Sequence, residues 1–90
     1  MTWAVELDPA AARELKTLYK KHHGLIPRWV DIKETLKRDP LEESHNFEPL
    51  KGNYSGFFSR RLSQKDRVIY RVDGKQVLVF VIQILGHYDD

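Results

Sequence analysis

The last third of the chain does most to limit what it can fold into. Gln76–Leu85 reads QVLVFVIQIL, with apolar residues at both parities. A strand with apolar side chains on both sides has no face left for water, so it belongs at the centre of a sheet with cover above and below. Two shorter runs precede it, FFSRRLS at 57–63 and RVIYRV at 67–72, rich in β-branched and aromatic residues and alternating as half-exposed strands do. Gln64–Asp66 and Asp73–Gly74–Lys75 separate the three runs as hairpin turns, which predicts an antiparallel meander.

The N-terminal half follows a different period. TWAVEL at 2–7 alternates as a short strand does, and Asp8–Pro9 then offers a helix N-cap followed by a first-turn proline. Leu15, Leu18, Tyr19 and His22 recur at helical spacing until Gly24. Pro27 opens a second helix, on which Trp29, Ile32 and Leu36 share a face, and Asp39–Pro40 closes it. Leu41–Asn46 is polar, lacks either period and reads as a surface connection. The order β-α-α-β-β-β predicts one α+β domain over residues 1–90, with an N-terminal strand and two antiparallel helices packed on one face of an antiparallel β-sheet.

Composition removes several chemistries. The chain has no cysteine, hence no disulfide framework, thiolate metal site or cysteine nucleophile. It has no apolar run long enough for a spanning helix, and MTWAVELDPAA does not read as a secretion signal, so a cytoplasmic location and no membrane partner are expected. There is no Gly-rich phosphate loop, and His22–His23 lack the spacing that puts two imidazoles on one helix face, so no metal and no cofactor are expected. The net charge of +2 is unevenly distributed. Residues 1–50 hold eight Lys/Arg against nine Asp/Glu, whereas residues 51–75 hold seven against two. Positive potential concentrated in that way suits a phosphate backbone, and equally describes a solvated basic face.

Three places carry reactive residues. His87 and Tyr88 follow Gly86 directly after the most apolar strand. An imidazole there can give or take a proton near neutral pH and a phenol can stack, although a frayed tail is the plainer reading. Arg60–Arg61 fall in one strand and Arg67 and Arg71 in the next, so a hairpin brings guanidinium groups to a common anion, for which their planar donors suit a phosphate. Successive strand residues face opposite ways, so only one of Arg60 and Arg61 can join a given partner, and Arg61 with Arg67 is the favoured pair. Weak surface salt bridges to Asp66 or Asp73 are the competing account of these arginines. Glu48, between Phe47 and Pro49 with Lys51 close behind, can serve as a base or be an ordinary surface carboxylate.

Taken together, EPLKGNYSGFFSRRLSQKDRVIYRV (48–72) and the terminal His87–Tyr88 resemble the YoeB/Txe branch of the RelE superfamily of bacterial toxins. The resemblance implies a RelE-like fold and a ribosome-dependent mRNA endoribonuclease that cleaves in the A site without a metal and is held inactive by a cognate antitoxin. Matched position by position, it implies Glu48 as general base, His87 as general acid, Arg67 as the phosphate-stabilising arginine, Arg61 as its support and Tyr88 as a substrate-positioning residue, with Lys51 and Arg60 contacting the RNA backbone. Asp89 and Asp90 depart from members that end at His–Tyr, and place acids beside the expected general acid. The implied partners are an acidic antitoxin of the YefM/Axe kind, the ribosome with its mRNA, operator DNA through the antitoxin complex alone, and a second toxin copy. Rival expectations are a catalytically weak ribosome-binding inhibitor and a transcriptional corepressor acting with the antitoxin.

Overall fold

The computed structural model describes residues 2–86. Strand β1 (Ala4–Leu7) leads directly into helix α1 (Pro9–Lys21), which Asp8 caps: its Oδ1 accepts from Ala11 N at 2.8 Å, and Pro9 takes the first turn, where a missing N–H costs nothing. Lys20 and Lys21 fill the last turn, at the negative end of the helix dipole. A 3-10 turn over His23–Leu25 connects to α2 (Ile26–Arg38), again with a first-turn proline. The expected helical stripe is present, since Trp29, Ile32 and Leu36 are all buried. Beyond the loop come β2 (Glu48–Pro49), a 3-10 turn over Gly52–Tyr54, β3 (Phe57–Arg61), β4 (Arg67–Asp73) and β5 (Leu78–Gln83).

The five strands form one sheet in the order β1-β5-β4-β3-β2. The expected meander is there, but the sheet is mixed rather than antiparallel, because β1 pairs parallel with β5. Two helices and a loop separate β1 from the meander, so no tight turn forces an antiparallel partner on it. Strand β5 is interior, as its composition requires, while β4 takes the middle position. The last strand is also shorter than its apolar run. Val77 sits at φ +52°, a costly left-handed conformation for a β-branched residue, so pairing begins at Leu78. A register shift opposite Ile69/Tyr70 places Gln83 across from Ile69 and Val81 across from Tyr70, and so absorbs Ile82.

Residues paired across strands share a face, which sorts the sheet into two sides. Val5, Leu7, Phe58, Val68, Tyr70, Val72, Val79 and Val81 point toward the helices and join Ala11, Leu15, Leu18, Trp29, Ile32 and Leu36 in the core. The opposite side, here called the far face, carries Glu48, Phe57, Ser59, Arg61, Arg67, Ile69, Arg71, Phe80 and Gln83.

Candidate functional site

The strand register assembles the charged residues of the far face in rows. Arg61 pairs directly with Arg67, and the next row is Glu48, Ser59, Ile69 and Gln83. Glu48 and Arg67 therefore lie two strand spacings apart, about 10 Å across the sheet, and two residues apart along it. That separation is within the combined reach of a glutamate and an arginine around one phosphate. Glu48 is exposed on its short edge strand, while Arg61 and Arg67 are half-buried. Like charges directly opposite one another in a sheet are destabilising. Among the described residues no hydrogen bond or ion pair engages either guanidinium, and Arg61 Nε is buried without a partner. Their backbones are fixed nonetheless: Arg61 N donates to His45 O at 2.7 Å, and Arg61 O accepts from Arg28 Nε at 3.0 Å. Such an arrangement can hold an oxyanion.

The described chain ends beside this pair. Arg67 N donates to Gly86 O at 3.0 Å, and Gly86 N donates to Asp66 Oδ1 at 2.8 Å. Glu14, on α1, accepts from Ile84 N at 2.7 Å and from Leu85 N at 3.1 Å through one carboxylate oxygen. Two carboxylates thus fix residues 84–86 next to Arg67. The expected general acid His87 and the positioning residue Tyr88 lie outside the described residues. Lys51 is exposed just past β2, at the start of the Gly52–Tyr54 turn.

Arg60 requires a correction. It was expected to contact RNA, but it points to the helix side and is fully buried. Its Nε donates to the Tyr70 hydroxyl at 2.9 Å, Nη1 to Ser44 O and Oγ, and Nη2 to Pro40 O and Glu42 O, with the guanidinium 4.9 Å from the Phe47 ring centroid. All three nitrogens are engaged in the interior, so Arg60 is a structural clamp between the sheet and loop 40–47. That loop is correspondingly more than a surface connection. The His45 side chain is 6% exposed and its Nε2 meets Asp31 Oδ2 at 2.6 Å, a bond that holds the Asp31 carboxyl below its usual range. Hydrogen bonds from Arg38 and then Ser44 likewise lower Glu42. Burial pushes the Tyr70 phenol up to about 12, against the opposing pull of Arg60.

Asp66, one of the two surface salt-bridge partners the sequence offers the arginines of β3 and β4, is instead buried. It closes the β3–β4 turn, where its Oδ2 accepts from Ser63 Oγ at 2.7 Å. Its role and that of Glu14 were not read from the sequence; the turn position was the available signal for Asp66, while the bonds of Glu14 span about 70 residues of chain and leave no local trace. Among the described residues no cluster of three or more His, Cys, Asp or Glu is placed to hold a metal ion, and no helix is long and apolar enough to cross a membrane.

The fold and the far face define a small α+β protein whose sheet presents guanidinium groups, unpaired among the described residues, beside an exposed carboxylate. The chain belongs to the family described as the YoeB-like toxin of bacterial type II toxin–antitoxin systems, whose profile matches residues 10–88. Toxin YoeB of Escherichia coli O6:H1 is 44% identical over 55 residues, which is 61% of this chain and 66% of that relative, so the match spans just under two thirds of the relative's length. A YoeB/ParE toxin from Agrobacterium tumefaciens superimposes with a TM-score of 0.87 at 27% identity, covering 94% of this chain and 99% of that one. The fold is also that of a chain in the YoeB–YefM toxin–antitoxin heterotetramer from Staphylococcus aureus, with TM-score 0.80, 22% identity and coverage of 98% of this chain and 100% of that one.

Proposed function

We propose that this toxin-family chain is a ribosome-dependent endoribonuclease that cuts mRNA in the A site by metal-independent attack of a ribose 2′-hydroxyl on its neighbouring phosphorus. The observation that carries the reading is the direct pairing of Arg61 with Arg67 on the far face, unengaged by any carboxylate among the described residues and in the row adjoining Glu48. Glu48 takes the 2′-hydroxyl proton, and the alkoxide attacks phosphorus in line. Arg67, supported by Arg61, stabilises the charge that grows on the phosphoryl oxygens. His87 protonates the departing 5′-oxygen, leaving a 2′,3′-cyclic phosphate and a 5′-hydroxyl. The tie between Gly86 and Arg67 supports this role for His87, because the general acid is the next residue along the chain. Tyr88 positions the substrate, and Lys51 meets the RNA backbone.

The partner that neutralises the toxin is proposed to be a YefM-like antitoxin, the kind of partner present in the staphylococcal complex, with an acidic segment covering the cationic face. Operator DNA is reached through that complex, and the site of action is the cytoplasm, where ribosomes translate. Primer extension on ribosome-bound mRNA tests the reading. New discrete 5′ ends are expected with the native chain, and a loss of about 100-fold or more with either Arg67→Ala or His87→Gln. Undiminished cleavage by both variants overturns the assignment. Arrested translation without new ends in the native chain returns the protein to the class of ribosome-binding inhibitors.

A further inference from the structure

One row of the far face takes no part in that chemistry. Arg71 pairs with Phe57 on one side and Phe80 on the other, so an arginine and two aromatic rings lie side by side across β3, β4 and β5. The Arg71 guanidinium sits 5.1 Å from the centroid of the Phe80 ring, and Tyr54 meets Phe57 edge-on at 6.1 Å. Arg71 is exposed while both phenylalanines are half-buried. A guanidinium backed on one side by an aromatic ring keeps its plane oriented and offers its other side for stacking. We propose that Arg71 and Phe80 form a nucleobase-stacking subsite for single-stranded RNA, on the same face as the Arg61–Arg67 pair and about 13 Å along β4 from Arg67. This rests on the reading of the protein as a ribonuclease and extends it from the scissile phosphate to a flanking nucleotide.

Charge selects the occupant. Arg61, Arg67 and Arg71 all occupy the far face, and among the described residues no carboxylate is ion-paired with any of them. Carboxylates flank this strip: Glu48 ends the intervening row on β2, Glu6, the register partner of Phe80, ends the Arg71 row on β1, and Asp73 lies two residues beyond Arg71. A polyanion is therefore drawn along β3 and β4, where the three arginines lie, and repelled toward the two edge strands and past Asp73. Ile69, between Arg67 and Arg71 on β4, is fully buried, so an apolar position and no further charge separates the two arginines along the strand. A sheet face with aromatic rings beside an exposed arginine suits unstacked bases, each of which presents a π-face whatever its identity.

The test is equilibrium binding of a short, fluorescein-labelled 2′-O-methyl RNA, which has no free 2′-hydroxyl to react, measured by anisotropy. Arg71→Ala and Arg71→Lys are each expected to weaken binding about tenfold, because lysine keeps the charge and loses the stacking plane. Moving a single abasic site along the RNA should find one position where the native chain loses the same factor and the Arg71 variants lose nothing further. Equal affinity of the native chain, Arg71→Ala and Phe80→Leu overturns the subsite, and leaves the ribonuclease reading intact if the native chain still cuts mRNA. An affinity fully restored by Arg71→Lys overturns stacking in favour of simple charge. If RNA affinity is unchanged and hold on polyglutamate is reduced, the row is a protein-binding surface. No RNA binding and no cleavage by the native chain removes both proposals together.

Discussion

Substitution of Arg60 separates a structural arginine from a substrate contact, and it does so through an unusual order of severity. Its guanidinium is fully buried and donates to the Tyr70 hydroxyl, Ser44 O and Oγ, Pro40 O and Glu42 O at 2.7–3.1 Å. Remove it, and each backbone acceptor keeps one other donor: Pro40 O the Tyr70 hydroxyl, Glu42 O the amide of Ser44, and Ser44 O the amide of Phe47. Arg60→Met therefore leaves no carbonyl orphaned, removes a buried charge and keeps much of the apolar volume, for a loss of about 1–3 kcal/mol. Arg60→Lys keeps the charge in the same interior but has one nitrogen where three were used, and it cannot fork between Ser44 and Glu42. An incompletely paired buried cation costs about 3–5 kcal/mol. The charge-conserving change should thus be the more damaging one. Urea denaturation of the native chain and both variants reads this from the midpoints, with the slopes confirming that similar surface is exposed. If Arg60 instead served RNA, lysine would be the mild substitution and methionine the inactive one at native stability; that pattern would refute the clamp.

Two further outcomes follow from the same geometry. Tyr70 has its phenol raised to about 12 by burial, while an unfolded tyrosine titrates near 10, so between those values the unfolded chain has lost a proton that the folded chain retains. Stability contributed by Tyr70 is complete below about pH 10 and falls by about 1.4 kcal/mol per unit as pH rises toward 12; the urea midpoint of the native chain should decline more steeply over this range than that of Tyr70→Phe, and parallel curves would contradict the assignment. Glu14→Ala leaves the amides of Ile84 and Leu85 without their acceptor, at a cost of about 1–3 kcal/mol, and hydrogen exchange should show these two amides losing protection first; unchanged protection at both would mean that another acceptor holds residues 84–86.

The features legible in the sequence were those written locally. Asp8–Pro9 and Pro27 marked helix starts, Trp29, Ile32 and Leu36 marked the buried stripe, and turn residues separated the strands of the meander. Alternation along β3 was enough to say that Arg60 and Arg61 face opposite ways, and the structure pairs Arg61 with Arg67 as favoured. Alternation does not say which way is inward, and the loop that buries Arg60 carries its backbone oxygens from 16 to 20 residues upstream, in a segment without periodicity. The parallel addition of β1 was hidden for a related reason: four residues that alternate are compatible with either direction of pairing. Contacts of Glu14 with Ile84 and Leu85 join the two ends of the chain and are set by how α1 lies across β5.

These contacts surround the Arg61–Arg67 pair of the far face. Two arginines set directly opposite one another are a standing cost to stability, and on the proposed reading they serve only if the groups around them stay in place when the phosphate departs. The surroundings of the pair are secured by several elements: Arg61 by Arg28 of α2, residues 84–86 by Glu14 of α1 and Asp66 of the β3–β4 turn, and the loop entering Glu48 by Arg60 of β3. The helix layer thus does more than cover the core. Through Arg28 and Glu14 it supplies two of the fixed points around a half-buried pair of arginines, and weakening either anchor should loosen the site before it unfolds the sheet.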